Sequence, residues 1–480
     1  MFLLQVIPGR PFCAAALLFQ TSLLMGQAVP SAGLRFVENI AIPNWSTRGA
    51  SYDLFAFNPQ TRTMYVADRT NHAVTAIDTK TDALTGVLPI PGGGNTNGVL
   101  IAPELQQLIV TDGKANVFVY DLRIPGNGPD AYVIPGITGG TDALDYNPLN
   151  HTVYVINGAR NFMTGIDLVA KKISTQAALP GSPELMRWNP VDGLIYQVLT
   201  AGDNGPGVAV FDPVLNSVTG FYATPNCVGH GIEIDAPANN ALIGCGTNQG
   251  QVLMNLKDGT IMKTFTDVTG ADLLAYSPNN RRFYTGTGGN KSSTTGCPSD
   301  SSKTSFPIIG VISPLAGGSL AGVLCAGRGS KGIGVDPIQN LIYVGSPQYP
   351  ADPGDANTGV SGVQVFADPA PAGQPLTVNT QATLAAFGTG SVSGILTTNP
   401  MGRNIRVNAS LKGVNGIAAL ISITTTVGNE VMECSINYTT GSAGCGGTII
   451  GDPLIGGVAM VAVDGVPVAR GTIAAGPAMP

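Results

Sequence analysis

Asn58-Pro59-Gln60-Thr61-Arg62-Thr63-Met64-Tyr65-Val66-Ala67, continuing through Asn71-His72-Ala73-Val74-Thr75-Ala76-Ile77-Asp78, is a proline turn followed by two short apolar strands joined by a polar loop. The phrase returns along the chain. Its anchor is a proline, often preceded by Asn or Asp, at Pro59, Pro103, Pro148, Pro190, Pro237, Pro278 and Pro337. Six residues after each comes an apolar or aromatic strand position: Tyr65, Ile109, Tyr154, Tyr196, Ile243, Tyr284 and Tyr343. Anchors spaced by roughly forty to sixty residues mark an internal repeat. In each repeat a third strand ends near an acidic or turn residue, as in Val117-Phe118-Val119-Tyr120-Asp121 and Val208-Ala209-Val210-Phe211-Asp212. A fourth follows, as in Thr85-Gly86-Val87-Leu88-Pro89-Ile90. Four short antiparallel strands per repeat make a propeller blade, so seven repeats predict an all-β, seven-bladed β-propeller over residues 34–369. A long β-sandwich would not explain the fixed period.

The ends of the repeat region predict how the ring closes. Blade seven supplies strands over residues 331–335, 341–345 and 362–366, then breaks at Asp368-Pro369-Ala370-Pro371 without a clear fourth strand. Residues 34–42, stopped by Pro43, form an unpaired strand upstream of blade one. Pairing it onto blade seven removes two exposed sheet edges. After a linker over residues 369–375, the segment 376–480 loses the anchor spacing and alternates Thr, Val, Ile and Ala between Gly-rich turns, as in Asn404-Ile405-Arg406-Val407-Asn408-Ala409-Ser410-Leu411. It reads as a small β-sandwich-like domain with a structural, adhesive or docking role and no catalytic constellation.

The opening phrase, with Gly231-Ile232-Glu233-Ile234-Asp235, Ala241-Leu242-Ile243-Gly244-Cys245 and Lys257-Asp258-Gly259, resembles the blade consensus of the YVTN family of β-propellers across about residues 34–369. The resemblance implies the fold. That family includes lactonase-like enzymes as well as proteins with no known chemistry, so it implies no particular site residue.

Composition agrees with an exported all-β chain. Of 480 residues only 11% are charged, against 64 glycines and 35 prolines, which suits turns and strands better than exposed helices. A net charge of −6 lacks the basic footprint of a nucleic-acid binder. Arg10, the apolar run Ala14 to Phe19 continued by Leu23, Leu24 and Met25, and the small-residue pattern Gly26-Gln27-Ala28 read as a signal peptide over residues 1–28, with a mature, secreted chain starting near Val29 in an extracellular or periplasmic setting. No later segment reads as transmembrane. Removing Cys13 with the signal leaves an even set of cysteines, expected to pair Cys227–Cys245, Cys297–Cys325 and Cys434–Cys445. The first pair spans the start of one strand and the end of its neighbour, the second shares a face of blade six, and the third flanks a hairpin. There is no CxxCH for haem, no P-loop for a nucleotide cofactor and no Gly-x-Ser-x-Gly elbow.

The chemistry is expected at the channel mouth. Counting back six residues from each anchor proline gives the first residues of the innermost strands: Asp53, Asn97, Asp142, Glu184, Gly231, Asp272 and Lys331. The extra Ala236 in blade five puts His230 in place of Gly231. Crowded carboxylates repel and need an offset: Lys331, a protonated His230, a bound proton or a divalent cation. Oxygen donors suit Ca²⁺ or Mg²⁺, with Asn97, Asp142 and Glu184 as ligands and Asp53 or Asp272 beside them. The competing readings are local strand capping and a polar pocket without an ion. His230 is the candidate general base, His72 a ligand candidate that also fits the blade turn, and His151 an exposed turn residue on the opposite face. Insertions over residues 290–305 and 347–359 point to the same face as the ring. Two functions follow. One is a secreted binding propeller for a small molecule, glycan or protein; the other is a cation-assisted hydrolase of a lactone or ester.

Overall fold

The computed structural model describes residues 34–476 except 46–49, 125, 135–139, 247, 293–296, 298–304, 328, 347–360, 370–379 and 402–403. The expected signal peptide and most of the two long insertions lie outside the described residues. Seven four-stranded antiparallel sheets form the propeller. Their innermost strands are Tyr52–Asn58, Val99–Ala102, Thr141–Asn147, Gly181–Trp188, Gly229–Asp235, Leu273–Ser277 and Ile333–Asp336. Each inner strand ends at the residue before an anchor proline, or next to it, so the prolines ring one face of the disc. At that face the acidic end residues join blades together. Asp235 of blade five accepts from Arg281 of blade six (2.7 Å), and Asp336 of blade seven accepts from Arg62 of blade one (2.7 Å).

The ring closes as expected. Strand Arg35–Ile40 pairs antiparallel with Gly362–Ala367, with Ile40 opposite Val363 and Arg35 opposite Ala367. Phe36 packs edge-on against Phe366, and Trp45 is fully buried, stacked on Tyr52 and donating to Asp68. The three disulfides are the expected ones, and Cys434 lies directly opposite Cys445 in the hairpin.

The C-terminal segment is all-β, but its strands form one closed sheet rather than two stacked ones. Strand Thr380–Ala386 pairs with both Ser393–Met401 and Val466–Thr472, which joins the ends of an eight-stranded barrel-like sheet. Most of its strands alternate inside and outside, as in the pattern of Thr380–Ala386. Two do not. Ala419–Thr425 and Val458–Val463 are buried on both faces. Their inward residues Ile421, Ile423 and Val461 fill the barrel, while Leu420, Val458, Met460 and Ala462 belong to the propeller's own hydrophobic core. Arg470 also donates to the Val191 carbonyl of blade four (2.6 Å). The barrel is therefore docked on the proline face of the propeller.

Candidate functional site: the polar channel mouth

The inner strands bring the predicted ring residues together in blade order. His230 lies 3.8 Å from Glu184 on one side and 3.8 Å from Asp272 on the other, and Lys331 donates to Asp272 at 3.1 Å. His230 takes the place at the mouth because Gly231 faces the next blade: a Cβ there would meet the Asp272 carbonyl at 2.8 Å.

One member was not foreseen. Arg69, in the loop between the second and third strands of blade one, pairs with the Asp53 carboxylate and donates from Nε to Asn97 Oδ1 (3.0 Å). It shares its loop with His72. His72 Nδ1 contacts the Gly94 carbonyl at 3.1 Å, and its backbone sits at φ 50° in the turn. On the opposite face His151 is not simply exposed: it contacts the Tyr146 hydroxyl at 2.9 Å and Glu104 at 3.4 Å.

Burial and crowding set the protonation of the mouth. Burial pushes the Asp53 carboxyl up to about 7, with Arg69 opposing and Asp142 and Asp272 adding to the rise. Burial likewise pushes Asp142 to about 6 against the pull of Arg69, with Glu184 and Asp272 contributing. The neighbouring Glu184 carboxylate holds His230 above its usual range. For Lys331, burial works against the charged form, but Asp272 and Asp53 outweigh it and raise the ammonium's pKa. Asp142 differs from Asp53 and Asp272 in that no hydrogen-bond donor or salt-bridge partner meets its carboxylate among the described residues.

The cation set expected at the mouth was Asn97, Asp142 and Glu184, with Asp53 or Asp272 beside them. Among the described residues no three His, Cys, Asp or Glu side chains gather into a metal-binding group, and Arg69, Lys331 and His230 stand beside Asp53, Asp272 and Glu184 respectively. The mouth instead presents acceptors and donors side by side, a surface suited to hydroxyl, amine or amide groups.

Below the mouth lies a second charged layer that the sequence did not disclose. Arg187 donates to Glu233 at 2.6 and 3.0 Å, and Asp145 accepts the backbone N–H of Trp188 at 2.5 Å. These residues follow Glu184, His230 and Asp142 by three positions, a spacing that in a regular strand turns the side chain to the other face. Each strand carries a register shift at that point, between Thr141 and Leu144, Pro183 and Met186, and Gly229 and Ile232. The bulge adds one residue and returns the later side chain to the channel.

Raised carboxyls give the protein a testable pH signature. Asp53 and Asp142 hold protons in the folded chain at pH values where the unfolded chain has lost them. Their contribution is fully present below about pH 4 and is lost as pH rises through about 6 and 7. His230, also raised, acts in the same direction. The melting temperature is expected to be higher at pH 5 than at pH 8, and the difference to shrink in Asp53→Asn/Asp142→Asn. A melting temperature that rises with pH over this window contradicts the reading.

No protein-family model matches the chain, and no curated protein matches it. Among solved structures it resembles a chain in the crystal structure of a mitotic checkpoint complex, at 12% identity and a TM-score of 0.52 over 77% of this chain and all of that one. It also resembles the structure of U3-55K, at 10% identity and a TM-score of 0.53 over 70% of this chain and 99% of that one. At these identities the likeness is one of fold.

Proposed function

We propose that the protein is an exported binding propeller whose channel mouth takes a small polar molecule or glycan bearing hydroxyl or amine groups. The observation that carries this reading is Asp142, a half-buried carboxyl that meets no donor among the described residues, in a ring whose carboxylates Asp53 and Asp272 are paired. A ligand amine or hydroxyl donating to Asp142 would supply what the protein leaves out. Arg69, Lys331 and His230 would then serve ligand acceptors. The three disulfides support an oxidising compartment, and the blade phrases support a propeller of the YVTN kind.

The test is calorimetric screening of amino sugars, oligosaccharides and polyols against the mature chain, repeated with Asp142→Asn. Binding in the parent that falls at least about ten-fold in the variant is expected, from loss of a charge-assisted hydrogen bond. Equal affinity in the two proteins removes the mouth as the site.

A second reading, hydrolysis of a lactone or ester, has one observation in its favour: His230 stands between two carboxylates in the position of a general base. The cation that reading needs would have to displace Lys331 or Arg69. A panel of lactones and esters, with and without chelator and with His230→Ala, separates the two. Turnover abolished by His230→Ala would establish the hydrolase; no turnover above buffer leaves the binding propeller.

A further inference from the structure

On the proline face the channel opens into a chamber shared with the barrel. Barrel residues 424, 427–429 and 454 form its far wall and bound a half-open cavity of about 320 Å³. A smaller hollow of about 170 Å³ lies among blades one to four, and Asp145 and Arg187 line both. The larger volume lies at the lower end of the range for small-molecule sites. Its propeller wall is aromatic, and Phe55, Phe57 and Tyr276 each keep part of their surface open.

The charge in these walls does not balance. Among the residues lining the cavity, Asp145, Arg187 and Glu233 are the charged ones, two carboxyl groups against one guanidinium. Arg187 donates from Nε and Nη2 to the same oxygen, Glu233 Oε1, at 3.0 and 2.6 Å, and from Nη1 to the Met186 carbonyl at 2.8 Å. Asp145 is met only by backbone N–H groups, those of Trp188 and Tyr146. Burial pushes its carboxyl up to about 6, so at pH 8 it carries its charge. Glu233 Oε2 meets no donor among the described residues, and it is not sealed away: 15% of the side chain is open, and this oxygen keeps accessible surface. A charge held away from bulk water is costly until it is paired. Here the surplus is one negative charge, and an open, unmet carboxylate oxygen stands in the same cavity wall as open aromatic rings.

We propose that the chamber is a second binding site, for a primary amine carrying an aromatic or apolar body, whose ammonium donates to Glu233 Oε2 beside Asp145 and whose body lies against Phe55, Phe57 and Tyr276. The ligand's positive charge brings the layer of two carboxylates and one guanidinium to neutrality. The rings add apolar contact and attract the cation through their faces. The barrel completes the site by closing its far side. This site does not rest on the reading of the mouth: its acceptor is Glu233 rather than Asp142, so the two stand or fall separately.

The probes are 2-(1-naphthyl)ethylamine and its uncharged counterpart 2-(1-naphthyl)ethanol. Both are titrated calorimetrically at pH 8 against the full mature chain carrying Asp142→Asn, which takes the mouth out of the measurement. The amine should bind saturably at one site per chain, at least about ten-fold more tightly than the alcohol, the margin of a charge-assisted hydrogen bond. Glu233→Gln and Asp145→Asn, each added to that chain, remove the surplus charge. Each should weaken the amine at least about ten-fold and the alcohol by less than about two-fold. Melting curves establish that each variant is folded. No saturable amine binding, equal affinity for amine and alcohol, or an amine affinity unchanged in Glu233→Gln overturns the proposal. Should Glu233→Gln fail to fold, an amine affinity unchanged in Asp145→Asn overturns it equally.

Discussion

Deleting residues 34–45 is expected to turn the mature chain insoluble. The deletion removes the outer strand of blade seven and strips the pairing from Gly362–Ala367, whose Val363, Val365 and Phe366 are buried in the closed ring. An unpaired apolar edge of this kind recruits other chains. It also removes Trp45, which is fully buried, stacks on Tyr52 at 4.9 Å and caps Asp68 through its indole N–H. Trp45→Ala alone keeps the strand and should cost about 3–5 kcal/mol, the usual penalty for truncating a large buried aromatic. Denaturant unfolding of Trp45→Ala, with solubility of the deletion, checks both. A deletion variant that stays soluble and melts like the parent would show that the latch is not what closes the ring.

The second large effect is expected inside the channel. Arg187→Met leaves Glu233 without its guanidinium and sets it against Asp145, itself pushed up to about 6 by burial. Removing one partner of a buried pair costs about 3–5 kcal/mol. A value of about 3 kcal/mol is expected here, because 22% of the Arg187 side chain still meets the cavity. The deficit should be smaller at pH 5 than at pH 8, since the orphaned carboxylates can then take up protons. Arg187→Met/Glu233→Met should recover most of the loss by removing the stranded charge with its partner. A single variant as stable as the parent at pH 8 would mean that the pair is solvated and structurally idle.

Much of this architecture was legible because the determinants are local. The anchor prolines fix one turn per blade, the strand phrases follow at a constant offset, and an N-terminal strand with nothing else to pair with marks the closure. The ring at the mouth was legible for the same reason, since a count from each proline lands on the first residue of an inner strand. Even the choice of His230 over Gly231 followed from one extra residue.

What the sequence could not yield was whatever depends on a neighbour in space. Arg69 reaches the ring from a loop, and nothing in its local sequence distinguishes that loop from a solvated turn. The Asp145–Arg187–Glu233 layer needs a bulge in each strand, and a bulge is a register relation between two strands rather than a property of one. The C-terminal strands alternate well enough to be recognised as β, but alternation does not distinguish stacked sheets from a closed one; the pairing of Thr380–Ala386 on both sides does. A signal for docking was present in Ala419-Leu420-Ile421-Ser422-Ile423 and Val458-Ala459-Met460-Val461-Ala462-Val463, runs without the polar alternation of a strand facing water. The sequence by itself thus determined the blades, their number, their closure and the strand-borne residues of the mouth, because short-range turns and strand periods encode them. Only the tertiary structure decided where the barrel sits, which charges meet in the channel and that a chamber lies between the two units, because those depend on surfaces far apart in the chain whose burial is settled by what packs against them.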